Sequence, residues 1–280
     1  MAEKSELKKL EEKLFKKRDS AWLSVDKEKV NDFAESYKEF LNNAKTERAA
    51  TARIIAQLEK NGFKNIDSAE LNEGSKVYLN QKNKSVVAAV IGKLKNSVNL
   101  VGTHLDSPRL DLKPNPVFEG QGLAMLKSHY YGGIKKYQWT NIDLALYGVV
   151  FTKAGKKIDF CLGEKEDEPK FIVSDLLPHL AKKQMEKPGN EIVEGEQLNI
   201  YIGNVPVKDE EIAEKVKLNI LKLLNDQYGI VEEDFSYAEL SFVPAGKAYD
   251  IGFDKSMIAG YGHDDKSCSY ANLAAICEIK

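Results

Sequence analysis

Two short stretches carry residue types that chemistry can use. The first, Gly102-Thr103-His104-Leu105-Asp106-Ser107-Pro108, follows the apolar run Val98-Asn99-Leu100-Val101. A histidine at the end of a strand, with an aspartate two residues on, suits a metal site: the strand fixes the imidazole, and the carboxylate accepts its second N–H. The same residues also fit a purely structural histidine hydrogen-bonded to a nearby acid. The second stretch, Gly260-Tyr261-Gly262-His263-Asp264-Asp265-Lys266-Ser267-Cys268-Ser269-Tyr270, runs into a helix-like Ala271-Asn272-Leu273-Ala274-Ala275-Ile276. Adjacent carboxylates at a loop-to-helix junction can do two jobs, with Asp264 reaching across the loop and Asp265 capping the helix. A carboxylate has two oxygens and can bridge two cations, although helix capping alone would also explain the pair.

Positioning these stretches is a task for the surrounding elements. Residues 4 to 62 read as three helices, one to about Arg18, one from Asp26 to Leu41, and one from Thr46 to Asn61, with Thr46 as cap and Gly62 as stop. Strands follow at Lys76 to Leu79, Lys84 to Ile91 and Val98 to Thr103. The last two are continuous apolar runs of the kind buried on both faces. Helices leading into buried strands predict an α/β sandwich in which His104 sits at the carboxyl edge of a strand, where ligand sites of open sheets form. From Leu105 to about Val243 the pattern becomes β-rich, with strand-like pieces at Ile142 to Thr152 and Ile158 to Leu162, turn-rich stretches between them, and one strong helix from Asp209 to Gln227. This stretch reads as an inserted domain.

Composition excludes several classes. The apolar and charged fractions, 42% and 30%, are those of a globular protein. With 41 basic against 43 acidic residues and a net charge of −2, nothing electrostatic favours nucleic acid or an anionic membrane. No apolar run approaches the roughly 20 residues that cross a bilayer. The first 18 residues are too charged for a signal peptide, and Leu7, Leu10, Leu14 and Phe15 instead fall at helical spacing. Cys161, Cys268 and Cys277 form no Cys-x-x-Cys, which points away from a disulfide framework and a zinc ribbon and towards a reducing cytoplasm.

Several separated motifs, taken in order, are more specific than any one of them. Ala44-Lys45-Thr46-Glu47-Arg48, Thr103 to Pro108, Tyr131-Gly132-Gly133, Leu177-Pro178-His179-Leu180-Ala181, Val243-Pro244-Ala245-Gly246-Lys247-Ala248 and Asp264-Asp265 stand in one sequence order. In that order the chain resembles the aspartyl aminopeptidase family of cocatalytic zinc exopeptidases, which includes the vacuolar aminopeptidase I type. The resemblance covers nearly the whole chain. It implies a three-layer α/β/α catalytic domain, here residues 1–104 and 245–280, interrupted by a β-rich dimerisation domain, residues 105–244. It further implies a zinc-dependent aminopeptidase that removes the N-terminal residue of peptides with water activated by two zinc ions, Co2+ or Mn2+ being possible substitutes. His104 would then ligate one zinc, Asp264 would bridge both, and Asp106 would orient His104. His179 would reach the active site of a neighbouring subunit and contact substrate, making a homodimer, or a dodecamer built from dimers, the working form.

The remaining candidates read as structural. His129 and His263 have no family role at their positions, Trp139 and the Tyr130-Tyr131 pair fit core packing, and Cys268 reads as a small buried apolar residue. The family's other ligands and its general base lie beyond the equivalent of Asp264. This chain ends at Lys280 inside the expected last helix, so it is expected to be the first part of a longer protein and to be inactive alone. The alternative is a non-catalytic fragment acting only in assembly.

Overall fold

The structure, a computed structural model, describes residues 5–16, 18–94 and 96–279. Residues 1–4, Lys17 and Lys280, which belong to the first and last expected helices, lie outside the described residues. The chain divides into two compact units, the first ending at Tyr37 and the second starting at Lys38. The first unit contains helix α1 (Glu6–Leu14), capped by the Ser5 hydroxyl on the Lys8 N–H, and the start of α2 (Lys27–Asn43). The apolar residues of α1 do fall at helical spacing, but none of its residues is buried.

In the second unit, α3 (Glu47–Lys60) begins where Thr46 accepts the Ala49 N–H, as its sequence predicts. Three short strands follow: β1 (Lys64–Asn65), β2 (Lys76–Gln81) and β3 (Ser85–Val90), in the order β1-β2-β3. One face of this sheet packs on helices. Val86, Ala88 and Val90 join Phe40, Ile54, Leu58, Tyr78 and, from the last helix α6 (His263–Glu278), Leu273 in one apolar cluster. On the other face the cross-strand partners Leu79 and Val87 are 39% and 58% exposed. The expectation that β3 is buried on both faces is therefore corrected: side chains alternate along a strand, and helices cover only one side.

The expected strand at Val98 to Thr103 is also corrected. The segment forms no strand ladder, and Val98, Leu100 and Val101 are 81%, 82% and 73% exposed. A strand is completed by a neighbour that takes its N–H and C=O groups, and no strand among the described residues runs beside this one. His104 therefore ends an extended segment, held by side chains rather than by a ladder.

The β-rich region forms a six-stranded sheet in the order β7-β6-β9-β4-β5-β8. Its strands are β4 (Arg109–Gly120), β5 (Leu123–Tyr131), β6 (Leu144–Phe151), β7 (Lys157–Leu162), β8 (Ile200–Gly203) and β9 (Ala238–Pro244). A bulge between Leu112 and Val117 bends β4. β6 and β9 approach so closely that a Cβ at Gly148 would collide with the Glu239 carbonyl, which only glycine avoids. The core centres on Leu110, Leu144, Val150, Leu198, Ile200 and Phe242. Helix α4 (Lys182–Met185) is a single turn, and α5 (Lys215–Tyr228) is the strong helix. It starts six residues later than its periodicity predicts. The Asp209 carboxylate takes the Glu211 N–H in a local turn, and a distant residue, Glu119 of β4, accepts the N–H groups of Val216 and Lys217 to start the helix. A small hairpin, β10 (Tyr249–Ile251) with β11 (Met257–Ala259), precedes α6.

Two outcomes follow from this packing. Phe242→Ala opens a cavity at a fully buried position and should cost about 3–5 kcal/mol in denaturant unfolding. Glu168 accepts the N–H groups of Gly163, Glu164 and Lys165, and its bond to the Lys165 side chain, together with those N–H groups, holds its carboxyl at about 2. A depressed carboxyl contributes stability above its unfolded value that is lost as pH falls towards the folded one. Stability should therefore drop between about pH 4.5 and 2, and Glu168→Gln should flatten that part of the unfolding profile.

Candidate metal centre

The start of α6 is not helical. Gly262 lies in the left-handed region at φ 88°, Asp264 (φ −88°, ψ 109°) and Asp265 (φ −116°, ψ 28°) follow with extended and bridging geometry, and the bond between the two aspartates is cis. Regular turns begin only after them. From there Lys266, Ser269 and Leu273 share one face at helical spacing, and all three are buried. That face grips the segment carrying His104. Ser269 Oγ lies 3.1 Å from each of Thr103 Oγ1, the His104 carbonyl and the Asp265 carbonyl. Ser107 Oγ donates to the Asp264 carbonyl at 3.0 Å and receives Lys266 Nζ at 2.7 Å. Burial pushes the Lys266 ammonium down to about 8.

These contacts bring the expected ligands together. His104 Nε2 lies 3.0 Å from Asp264 Oδ1. The other ring nitrogen, Nδ1, faces Asp106, 3.1 Å from its main-chain carbonyl and 3.3 Å from its carboxylate Oδ1. The main chain of Asp106 is thus the nearer acceptor, where sequence reasoning had named only the carboxylate. Burial works against the charged ring, but the Asp106 carbonyl and the charges of Asp106, Asp265 and Asp264 outweigh it, so the imidazole holds its proton more tightly than an ordinary histidine. Asp106 has its own support. Its Oδ2 accepts the Tyr131 hydroxyl at 2.9 Å. Burial opposes the charged form here as well, but that hydroxyl, His104 and Arg109 keep the carboxyl below the usual range.

Arg109 joins this group to the rest of the fold. It begins β4 directly opposite Tyr131 at the end of β5, and its guanidinium lies 4.2 Å over the Tyr131 ring. It donates to Asp111 and Glu47, both at 2.7 Å, and Ser241 of β9 donates to the same Asp111 oxygen. The other charged residues of the Lys45-Thr46-Glu47-Arg48 motif reach the sheet region too: Lys45 to Glu164 and the carbonyls of Pro244 and Gly246, Arg48 to Glu239. The structural reading of that motif accounts for each of its polar side chains.

His179 lies elsewhere, on an exposed turn in which the Leu180 and Ala181 N–H groups donate to the Leu177 carbonyl. Among the described residues no hydrogen bond or ion pair joins it to His104, Asp106 or Asp264. Trp139 is buried in the β-rich core, and His129 stacks on Tyr130 with ring centres 5.5 Å apart. Cys268 departs from expectation: it is exposed, and a hydrogen bond to Asp265 raises its thiol above the ordinary value. The Asp265 side chain meets that thiol one turn into the helix, while its carbonyl meets Ser269.

Sequence reasoning missed Ser107, Arg109, Tyr131, Lys266 and Ser269. The signal for two of them was present. Counting back from Leu273 by four and seven puts Ser269 and Lys266 on its buried face.

With this geometry in view, comparison with known proteins decides the family. Residues 40–280 match the model described as "Aminopeptidase I zinc metalloprotease (M18)". The chain belongs to the M18 family. A relative from Clostridium acetobutylicum named "Probable M18 family aminopeptidase 1" is 47% identical over 95% of this chain and 60% of its own length. The crystal structure of an M18 aminopeptidase from Thermotoga maritima superposes with a TM-score of 0.91 at 40% identity, covering 95% of this chain and 59% of that one. The S. cerevisiae mApe1 dodecamer shares the fold with a TM-score of 0.65 at 19% identity, over 89% of this chain and 56% of that one. The mixed α/β architecture is thus the M18 fold, and the chain spans about three fifths of the length of the curated relatives it matches.

The residues present suit the M18 metal as part of a site. Imidazole nitrogen and carboxylate oxygen are zinc donors, and two ligands at about 2.0–2.1 Å on a tetrahedral ion stand roughly 3.3 Å apart. The 3.0 Å between His104 Nε2 and Asp264 Oδ1 needs little change to meet that. Among the described residues no group of three or more His, Cys, Asp or Glu side chains converges on a metal position, and no helix is long and apolar enough to cross a membrane.

Arg109 offers a stability test. Its side chain is 14% exposed and satisfies two carboxylates from different elements. Arg109→Met leaves both acids without their partner and should cost about 3 kcal/mol in chemical denaturation, against under about 1 kcal/mol for an exposed pair such as Lys157 with Asp159.

Proposed function

We propose that the full-length protein is a zinc-dependent aminopeptidase that releases single residues from peptide N-termini, and that His104 and Asp264 are two of its metal ligands. The observation that carries this reading is the 3.0 Å approach of His104 Nε2 to Asp264 Oδ1 in a chain of the M18 family. Zinc bound there, two ions per site with Co2+ or Mn2+ as substitutes, supplies Lewis acidity and a water that ionises near neutral pH. The chain's own residues do the rest. His104 presents Nε2 because its Nδ1–H donates to the Asp106 carbonyl. Asp264, with its side chain 91% exposed, sets Oδ1 against His104 Nε2, and its second carboxylate oxygen could take a further ion. Asp106 stays ionised and oriented because Tyr131 holds its second oxygen. On this reading the further ligands and the general base come from the part of the relatives' length that this chain does not span.

His179 serves the neighbouring subunit, contacting its substrate. Supporting this are its place on an exposed turn, with Leu176, Leu177 and Leu180 exposed around it, and the dodecamer of the yeast relative. Residues 1–104 and 245–280 contribute to the catalytic domain, and residues 105–244 form the dimerisation domain. Support for that division is the six-stranded sheet with its own core, whose strands lie between Arg109 and Pro244. A reducing cytoplasm suits three free cysteines.

The full-length enzyme purified from its source should release N-terminal residues in a chelator-sensitive way. His104→Ala and Asp264→Asn should each lower kcat/KM by more than about a hundredfold and reduce bound zinc. His179→Ala should lower kcat with zinc content unchanged. Full activity in His104→Ala would refute the ligand reading, and zinc loss in His179→Ala would refute the substrate role.

A further inference from the structure

A wholly buried lysine follows the candidate ligand Asp264 by two residues. Lys266 is 0% exposed, and among the described residues no ion pair uses it. Its hydrogen-bond partner is a neutral hydroxyl, Ser107 Oγ at 2.7 Å, and the Tyr261 ring lies 5.7 Å away. The charges that act on it are Glu47 and Asp106, which favour the ammonium, and Arg109, which opposes it. Stability does not explain such a residue. Burying an ammonium against one hydroxyl costs desolvation, and an apolar side chain of the same length would fill the space at less cost.

Geometry gives the lysine a task. An ammonium has three protons and accepts nothing, so Ser107 Oγ must accept from it and is left with its own proton to give. That proton goes to the Asp264 carbonyl at 3.0 Å. The two bonds form a one-way chain, Lys266 to Ser107 to the Asp264 main chain, closing the gap between the segment that carries His104 and the turn that carries Asp264. Gly262 leaves room for it: a Cβ there would stand 3.0 Å from Lys266 Nζ and 3.2 Å from Ser107 Oγ.

We propose that Lys266 is a positioning residue of the metal site, holding Asp264 through Ser107 at the separation from His104 that a single cation requires. The inference rests on the reading of His104 and Asp264 as ligands. Lys266 touches neither the cation nor substrate. It sets the register of the two ligand-bearing segments before metal arrives, so that binding need not order the turn.

Zinc titration of the protein, followed through the imidazole nitrogen resonances of His104, tests this beside chemical denaturation. Lys266→Met keeps the length and apolar stem and removes the donor, and Ser107→Ala removes the relay. Each should weaken zinc binding by about tenfold, while the denaturation midpoint of Lys266→Met stays level or rises. That split is the signature, because a merely structural lysine would move stability and leave affinity alone. Wild-type zinc affinity in either folded variant would overturn the proposal, and if Lys266→Met does not fold, Ser107→Ala decides. If zinc leaves the wild-type His104 resonances unmoved, the ligand reading itself fails and takes this inference with it. Zinc that binds equally to wild type and to folded variants overturns the Lys266 role alone.

Discussion

The site depends on the grip of α6 on the segment from Thr103 to Ser107. Among the described residues that segment has no strand beside it, and its apolar residues upstream of His104 are exposed, so a β-ladder does not fix it. Three hydroxyls and one ammonium do so instead, through Ser269 on the Thr103 and His104 side and Lys266 with Ser107 on the Asp264 side. Hydrogen bonds of this kind are directional and short-ranged, which is what holding the two candidate ligands at a set separation requires. Apolar packing brings the two segments near each other, with Leu105 and Leu273 in one cluster, but it does not fix their register.

A second network ties that grip to the β-rich sheet. Asp106 is held by Tyr131, Tyr131 lies under Arg109, and Arg109 is shared by Glu47 on α3 and Asp111 on β4. The Nδ1 side of the His104 ring therefore feels an arrangement that passes through a helix start and two strand ends. Lys45 and Arg48 add further ties from the same helix start to Glu164 and Glu239. Lys45, Glu47 and Arg48 thus join the α3 region to the sheet, while Thr46, between them, starts the helix itself. In a sequence this reads as a charged helix terminus. In the fold it is a junction.

Much of this was legible in the sequence, and the reasons it stopped where it did are physical. The caps and period of α3 are local, so its limits could be read closely, and the apolar runs of β6 and β7 gave strands where they stand. Periodicity starts α5 too early because the carboxylate that receives its first N–H groups is Glu119, a residue from β4 that no local pattern reveals. The run Val98 to Thr103 reads as a buried strand because composition reports affinity for burial, whereas a strand also needs a neighbour. For the candidate site, motif order singles out His104, Asp106 and Asp264, and the fold sets the three side by side. The supporting residues were harder because a serine, a tyrosine or a lysine has many ordinary roles. Lys266 is the sharpest case: a lysine beside two aspartates reads as a solvated charge, yet its side chain is buried.

Zinc-edge anomalous diffraction from crystals of the full-length protein tests the central claim most directly, because it locates the ion without relying on activity. The account predicts an anomalous peak about 2.0–2.1 Å from both His104 Nε2 and an Asp264 carboxylate oxygen, with His104 Nδ1 still turned to Asp106. A peak bound by other side chains, with His104 and Asp264 remaining hydrogen-bonded to each other, would contradict it.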